Sequence, residues 1–212
     1  MDAKTGTIYI VDDDASVRGA LTRLVESEGW NVACFASARE FLADVAHDGI
    51  GCIVLDVGMP EMTGPELHDR LRARGSTLPI IYLSGQGTLA IGVRAMRAGA
   101  HDFLEKPVDD VALLSAIGSA MSQRAHARLE ENHLNTIRER LAELSPRERQ
   151  VMDQVIRGRL NKQIASDLDI GVKTVKVHRG RVMSKMKVRS VAELVHLCDA
   201  LGIGQPEELG TA

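Results

Sequence analysis

Carboxylates follow two short apolar runs in the first sixty residues. Thr7–Val11 leads into the triplet Asp12–Asp14, and Cys52–Leu55 leads into Asp56. An apolar run bounded by turn residues predicts a strand that is buried on both faces. Carboxylates at the ends of two such strands repel one another unless they share a cation. The pattern therefore predicts a cation-binding cluster, and the competing interpretation is that these acids are solvated loop residues and helix caps.

Two further polar side chains follow apolar runs downstream. Ser84 comes after Pro79–Leu83, and Lys106 follows shortly after Asp102–Leu104. Taken singly, each has a plain interpretation, since a serine at a strand end commonly caps the next helix and most lysines are solvated charges. Because open α/β sheets bind ligands at the carboxyl ends of their strands, the joint placement of these residues and the acids predicts one functional edge.

Helical patterns alternate with the strands. Ser37 and Glu40 form a capping box, and Pro65 occupies a favoured first-turn position. A helix from about Thr88 is expected to stop at Gly99. The other elements are a strand at Val32–Phe35, a helix between the acidic triplet and Gly29, and a last helix carrying Val111, Leu113, Leu114 and Ile117. Five strands alternating with five helices predict an α/β domain with a parallel sheet and right-handed crossovers.

Composition and charge bound the class of protein. The 212 residues allow two domains, and aromatics at 3% are too few for a platform that stacks single-stranded nucleic acid. Cys34, Cys52 and Cys198 are too far apart for a CxxC metal motif.

No signal peptide or membrane-length apolar run is present, so we expect a cytoplasmic protein without a membrane partner. Residues 1–120 hold 10 Lys and Arg against 17 Asp and Glu, whereas residues 145–199 hold 12 against 6, which predicts nucleic acid as the partner of the rear part.

The front part, about residues 5–120, resembles the receiver domains of bacterial two-component response regulators. The motifs that carry this resemblance are Ile10–Asp14, Leu55–Pro60, Leu83–Gly85 and Phe103–Pro107. It implies a flavodoxin-like (βα)5 fold with strand order 2-1-3-4-5. It also makes Asp56 the acceptor of a phosphoryl group from a sensor histidine kinase, and an ionised carboxylate is a suitable nucleophile for that transfer.

The resemblance further implies a Mg²⁺ ion beside the phosphoacceptor. Asp13, Asp56 and the backbone carbonyl of Gly58 would hold the ion, with Asp12 acting through water. Mg²⁺ suits such a site, because it keeps several waters and neutralises charge during phosphoryl transfer. Gly58 stands where many relatives carry a side chain, which leaves the lifetime of the phosphorylated state undetermined.

Three more residues take switching roles in the family. Lys106 would pair with one phosphoryl oxygen, and the Ser84 hydroxyl would hydrogen-bond another. That contact draws the hydroxyl residue inward and lets the aromatic residue, here Phe103, rotate with it. Ser84 replaces the commoner threonine but keeps the hydroxyl.

A helical linker is predicted behind the receiver. From about Ala112 to Leu144 the only glycine or proline is Gly118, so one long helix is expected. Leu134, Ile137, Leu141 and Leu144 follow one another at helical spacing. This apolar seam is under two heptads long, which leaves two interpretations open: a coiled-coil dimer contact, or packing against a neighbouring domain.

Four short helices are predicted after the linker. Ser145–Glu148 and Ser190–Glu193 are capping boxes, and a helix from near Asn161 precedes one from about Lys173 to Lys187 across a tight turn. The segment resembles the LuxR-type output domain, a helix-turn-helix fold, through Leu144–Arg149, Asn161–Ala165 and Lys173–Arg179. With the receiver in front, residues 5–201 resemble the FixJ branch of the NarL/FixJ response regulators.

The third of these helices has two faces. At about 100° per residue, Val175, His178, Val182 and Met186 share the core side, so His178 is expected to be packed and hydrogen-bonded rather than a base reader. The opposite face would enter the major groove and presents Lys173, Lys176, Val177, Gly180, Ser184 and Lys187, with Arg181 beside them. Lys162 and Thr174 are better placed for phosphates, which position the protein on DNA.

The sequence therefore predicts a phosphorylation-switched transcriptional regulator in three parts. These are a receiver over residues 1–120, a helical linker over 121–144 and a LuxR-type helix-turn-helix domain over 145–212. The expected partners are a sensor histidine kinase, double-stranded promoter DNA, a second copy of the chain after phosphorylation, and RNA polymerase. The chain is not predicted to be an enzyme that turns over a substrate.

Two rival functions fit the sequence less well. A haloacid-dehalogenase-type phosphatase needs a second acid two residues after its nucleophile, and that position is Gly58 here. A constitutive DNA-binding protein with a vestigial receiver would not need the intact set of Asp12, Asp13, Asp56, Ser84 and Lys106.

Overall fold

The computed structural model describes residues 5–43, 50–85 and 89–203. Contacts divide the chain into two compact units, Met1–Arg128 and Leu129–Ala212, and each unit has its own hydrophobic core. No helix within the described stretches is both long and apolar enough to cross a membrane.

A five-stranded parallel sheet forms the centre of the first unit. The strands are β1 (Thr7–Val11), β2 (Asn31–Phe35), β3 (Gly51–Asp56), β4 (Ile80–Ser84) and β5 (Asp102–Glu105), in the order β2-β1-β3-β4-β5. The helices are α1 (Ala15–Ser27), α2 (Ala38–Ala43), α3 (Gly64–Ala73), α4 (Leu89–Arg97) and the first part of α5 (Asp110–Ala142). This order confirms the predicted flavodoxin-like fold. The predicted helix start near Thr88 lies outside the described residues.

Helices cover both faces of this sheet, which is why its strands are near-continuous apolar runs. Every residue of β3 is buried. One core layer includes Leu67 and Tyr82, and the layer on the other face includes Leu113 and Ile117. Val111 was predicted on the apolar side of α5, but it is 75% exposed. Its position two residues before Leu113 turns it to the opposite side of the helix.

The start of α3 is fixed close to the end of β3. Thr63 is the N-cap, and its backbone N–H donates to the Glu66 carboxylate at 2.8 Å in a capping box. Gly64 follows, and a Cβ at this position would collide with the backbone oxygen of Asp56. A glycine is therefore required by the close approach of α3 to the end of β3.

The second unit is helical. It contains the last part of α5 together with α6 (Pro146–Ile156), α7 (Asn161–Asp167), α8 (Val172–Met186) and α9 (Val191–Ala200). Ile137 and Leu141 lie within its core, and Leu134 and Leu144 pack against that core. Of the two interpretations of this apolar seam, packing onto the helical domain is the one that the structure shows.

An ion pair with a buried carboxylate joins α6 to α8. The predicted capping box is present, and the Glu148 carboxylate accepts the Ser145 N–H at 2.9 Å and the Lys185 ammonium at 2.7 Å. Glu148 is only 3% exposed. The hydrogen bond from Lys185, together with that from the Ser145 N–H, lowers the pKa of Glu148 to about 2. Glu148 therefore stays ionised at ordinary pH and holds the start of α6 on α8.

Candidate functional site

Two buried carboxylates share one lysine at the carboxyl edge of the sheet. The Lys106 ammonium nitrogen lies 2.6 Å from Oδ2 of Asp12 and 2.6 Å from Oδ1 of Asp56. Asp12 is 1% exposed and Asp56 is 6% exposed. β1 and β3 are neighbours in the sheet, so the residues that end them are brought side by side, and Lys106 reaches both from the end of β5.

The charges of the three side chains depend on one another. Burial by itself lowers the pKa of Lys106, but the hydrogen bonds and charges of Asp12 and Asp56 outweigh it and raise the pKa above its ordinary value. Lys106 is therefore a firmly protonated cation. Because a single positive charge serves two carboxylates, one negative charge in this group stays uncompensated.

Backbone amides orient both carboxylates. The second oxygen of Asp56 accepts the N–H of Gly58 at 2.7 Å, and Oδ1 of Asp12 accepts the N–H of Asp14 at 2.9 Å. Asp14 in turn caps α1 through the N–H of Ser16 at 2.7 Å. These contacts fix where each carboxylate points, and the role of Asp14 as a cap agrees with the plain interpretation for that one acid.

Ser84 and Phe103 lie on the neighbouring strands β4 and β5. Ser84 is buried at the end of β4, and its backbone oxygen accepts the N–H of Lys106 at 2.8 Å. Phe103 is half-buried on β5. A Cβ added at Gly92 of α4 would lie 3.3 Å from the Phe103 ring, so glycine gives this aromatic ring its room beneath α4.

The residues present fit a hard cation held by few protein ligands. Within the described residues, no group of three or more acidic, histidine or cysteine side chains converges on a point that could hold a metal. Mg²⁺ does not need such a cage, since it binds one or two carboxylates and keeps its waters. Asp12 and Asp56 form such a pair, and the Lys106 ammonium shows that a cation fits against both of them. Asp13 is exposed next to this pair.

One residue near the site was missed by the sequence analysis. Arg18, on α1, is half-buried, and its Nη1 donates to the backbone oxygen of Asp12 at 2.7 Å. Its position six residues after Asp12 matches no helical side-chain spacing, so no pattern in the sequence indicates the contact.

The predicted DNA-facing side of α8 is open to solvent. Val175, Val182 and Met186 are buried on its other side. All nine residues predicted for DNA contacts are exposed: Lys162, Lys173, Thr174, Lys176, Val177, Gly180, Arg181, Ser184 and Lys187. A Cβ at Gly180 would meet nothing within 4 Å, so the middle of this face is flat.

His178 departs from its prediction in one respect. It is half-buried, as expected for a packed residue. Its Nδ1 is also buried, but this atom has no hydrogen-bond partner in the described part of the chain. The predicted hydrogen bond was therefore wrong. A neighbouring contact that was not predicted joins the two helices of the motif, since Nη1 of Arg179 donates to Oδ1 of Asn161 at 3.0 Å.

Comparisons with known proteins match the front and the rear of the chain to two different families. Residues 8–118 match the family described as response regulator receiver domain, and residues 142–198 match the bacterial regulatory proteins of the luxR family. The chain is 44% identical to the response regulator protein TodT of Pseudomonas putida, over 95% of this chain and 88% of that protein. It is 43% identical to the transcriptional regulatory protein FixJ of Bradyrhizobium diazoefficiens, over 93% of this chain and 97% of that protein.

Solved structures give the same likeness over the full length. The response regulator StyR superposes with a TM-score of 0.86 at 42% identity, covering 92% of this chain and 99% of that chain. Full-length FixJ from B. japonicum superposes with a TM-score of 0.58 at 43% identity, covering 94% of this chain and 98% of that chain.

Removing the shared lysine should destabilise the first unit in a pH-dependent way. Lys106→Met leaves two buried carboxylates facing each other, and losing one partner of a buried ion pair costs about 3 kcal/mol. Their repulsion raises the folded-state pKa of one carboxyl group above its unfolded value. At low pH this carboxyl group can bind a proton and relieve the repulsion, and that relief is lost as pH rises. The variant should therefore be destabilised more at pH 8 than at pH 5.

Urea unfolding followed through Trp30, the only tryptophan of the chain, measures this loss in the first unit. Lys106→Arg keeps the charge and serves as the control. Mg²⁺ should restore part of the lost stability at pH 8, because it replaces the missing cation. A loss that is equal at both pH values and insensitive to Mg²⁺ would contradict the assignment of a cation site.

Proposed function

Since the chain belongs to the NarL/FixJ-type response regulators, and is therefore a phosphorylation-dependent transcriptional regulator, we propose that Asp56 is the residue on which it accepts a phosphoryl group. The observation that carries this proposal is the Lys106 ammonium held between Asp12 and Asp56. Asp56 lies at the carboxyl end of a buried central strand, where ligands of this fold bind.

The chemistry follows from the groups around Asp56. A carboxylate oxygen of Asp56 attacks phosphorus, the bond from phosphorus to the donor's leaving group breaks, and an aspartyl phosphate forms. Lys106 pairs with one oxygen of the transferred group, and the Ser84 hydroxyl donates to another. Phe103 then follows Ser84 inward. The space that Gly92 leaves at the Phe103 ring supports this role.

Mg²⁺ is the cofactor that this donor set suits, and receiver domains generally depend on it. Asp13, Asp56 and the Gly58 carbonyl would hold the ion, with Asp12 acting through water. When bound, it neutralises charge on the transferring phosphoryl group. The uncompensated negative charge of the Asp12, Asp56 and Lys106 group supports the choice of a cation.

Phosphorylation should require both Asp56 and Mg²⁺. The wild-type chain, incubated with a small-molecule phosphodonor and Mg²⁺, should take up one phosphoryl group, measured by mass spectrometry of the intact protein. Asp56→Asn removes the nucleophile, and a chelator removes the ion, so each should abolish labelling. Asp14→Asn is the matched control, because asparagine keeps the cap on α1 and the exposed Asp14 side chain is not in the proposed set. Labelling that persists in Asp56→Asn would refute the assignment.

The exposed face of α8 is the proposed DNA-reading surface. Lys173, Lys176, Val177, Gly180 and Arg181 would enter the major groove, whereas Lys162 and Thr174 would contact phosphates. The basic charge of residues 145–199 supports this surface. The buried side of α8 and the contact between Arg179 and Asn161 would hold it rigid.

Two lysines should separate phosphate contact from base reading. Lys162→Ala should weaken binding to specific and random duplexes alike and reduce the slope of log affinity against log salt by about one. Lys176→Ala should cost about 1–3 kcal/mol on the specific duplex and less on the random one. Titrations of the full chain at several salt concentrations measure both. An equal loss on the two duplexes for Lys176→Ala would show that α8 presents a different face.

The remaining assignments follow from membership of this family. A receiver implies a histidine kinase partner, and a LuxR-type domain implies DNA binding. RNA polymerase is a further candidate partner, and a regulator that binds promoter DNA belongs in the cytoplasm.

The family regulates transcription and is not typically enzymatic. In this chain the only catalysis proposed is the transfer of the phosphoryl group to Asp56 and the slow hydrolysis of the aspartyl phosphate, which releases inorganic phosphate. The proposed domain limits are those given by the sequence. The linker of residues 121–144 belongs to α5 as far as Ala142, and its Ile137 and Leu141 lie in the core of the second unit.

Phosphorylation should convert a monomer into a dimer through α4. Val93 is 44% exposed and Arg94 and Arg97 are exposed on this helix, close to the proposed switch at Phe103. A two-fold dimer would present two output domains to a roughly palindromic site.

In sedimentation with a phosphoryl mimic, wild type should dimerise, and Arg97→Glu should stay monomeric while still accepting the phosphoryl group. Arg23→Glu on α1 controls for the change in net charge. A dimer with and without the mimic would rule out this switch.

A further inference from the structure

Arg18 holds the main chain at Asp12. Its Nη1 donates to the backbone oxygen of Asp12 at 2.7 Å. The backbone of Arg18 is itself fixed within α1, since its N–H donates to the oxygen of Asp14 at 3.0 Å and its carbonyl accepts the Thr22 hydroxyl at 2.8 Å. A guanidinium that is half-buried and anchored in this way is a rigid brace rather than a solvated charge.

Asp12 makes four hydrogen bonds in the resting protein, and one of them is from its own N–H to the backbone oxygen of Phe35 at 3.2 Å. Its two carboxylate oxygens accept the N–H of Asp14 and the ammonium of Lys106, and its backbone oxygen accepts Arg18. The Lys106 contact is lost when this lysine turns to a phosphoryl oxygen. The Arg18 contact involves the main chain, so it does not compete with any ligand of the carboxylates and persists through that change.

We infer that Arg18 is a positioning residue of the phosphorylation site: it holds the backbone that carries Asp12 and Asp13 in the geometry in which Asp13 binds Mg²⁺ directly and Asp12 acts on it through water. The inference rests on the proposed function of this site. It adds a residue that touches neither the phosphoryl group nor the ion and acts through the backbone of Asp12.

The charge of Arg18 and its hydrogen bond have opposite effects on a bound cation, and this makes the inference testable. A guanidinium near Mg²⁺ repels it, so a residue that acted through charge alone would weaken Mg²⁺ binding, and its removal would strengthen binding. A residue that positions the ligands strengthens binding, and its removal weakens binding. Loss of a group that orients metal ligands typically costs 10–100-fold in affinity. With the repulsion also removed, we expect Mg²⁺ to bind about fivefold to tenfold more weakly to Arg18→Met.

Calorimetric titration of the full chain with Mg²⁺ alone, without a phosphodonor, measures this affinity. Arg18→Met keeps the aliphatic stem and removes the guanidinium, whereas Arg18→Lys keeps a charge and a donor and should recover most of the affinity. Arg23→Met is the matched control, since it removes an exposed arginine from the same helix five residues later. It should bind Mg²⁺ as wild type does. Tighter or unchanged binding by Arg18→Met, or an equal loss in Arg23→Met, would overturn the inference.

A second measurement separates positioning from a general loss of stability. At saturating Mg²⁺, the maximal rate of labelling by a phosphodonor should return to near the wild-type value in Arg18→Met, because the bound ion then orders the segment that carries Asp12 and Asp13. A maximal rate that stays low at saturating Mg²⁺ would contradict the positioning role. If wild type itself failed to bind Mg²⁺, the proposed function of the site would fail instead, which keeps the two outcomes distinct.

Discussion

One ammonium group fixes the ends of three strands relative to one another. Lys106 follows β5, and its nitrogen lies 2.6 Å from the carboxylates that follow β1 and end β3. Those carboxylates, on Asp12 and Asp56, are almost fully buried, and without a partner each would cost several kcal/mol. The backbone N–H of Lys106 also bonds to Ser84 at the end of β4. Lys106 therefore links the ends of β1, β3 and β4 at the carboxyl edge of the sheet.

The order of the strands is what allows one lysine to serve two acids. In register, Val11 lies beside Leu55, and Asp56 lies beside Leu83. Asp12, which follows Val11, therefore lies level with Asp56 on one side, and Ser84 follows the β4 residue that pairs with Asp56 on the other side. β5 is the edge strand next to β4, and a long flexible side chain is needed to span the distance from it. Lysine meets that need, since its four-carbon stem carries a compact charge.

Much of this arrangement could be predicted from the sequence. The apolar runs gave the strands, and the residues that follow those runs gave the candidate site. The strand order came from the resemblance to receiver domains, because periodicity alone does not order a sheet. The solvent-exposed side of α8 followed from helical spacing, since Val175, Val182 and Met186 mark the buried side without ambiguity.

Other features could not be predicted because they depend on packing. The requirement for glycine at Gly64 arises only once α3 meets the end of β3. The contact from Arg18 to the backbone of Asp12 has no signal in spacing or composition. Val111 was predicted on the apolar side of α5 because it is apolar, but it faces solvent. The sheet covers a narrower stripe of α5 than the positions of its apolar residues indicate. The Leu134–Leu144 seam had two possible partners, and the core of the second unit decides between them.

Among the described residues, the lysine contacts of two buried acid sites differ in how their charges balance. Glu148 and Lys185 pair one to one, and backbone capping at Ser145 adds to the contact. Their charges cancel, and the lowered pKa of Glu148 keeps the pair ionised. At the edge of the sheet, one lysine faces two carboxylates, so a negative charge remains and attracts a cation. In the proposed site, a bound cation would take over the neutralisation of the acids and leave the Lys106 ammonium free to pair with a phosphoryl oxygen. The sharing of one ammonium between Asp12 and Asp56, rather than burial alone, is the feature that would let this contact exchange.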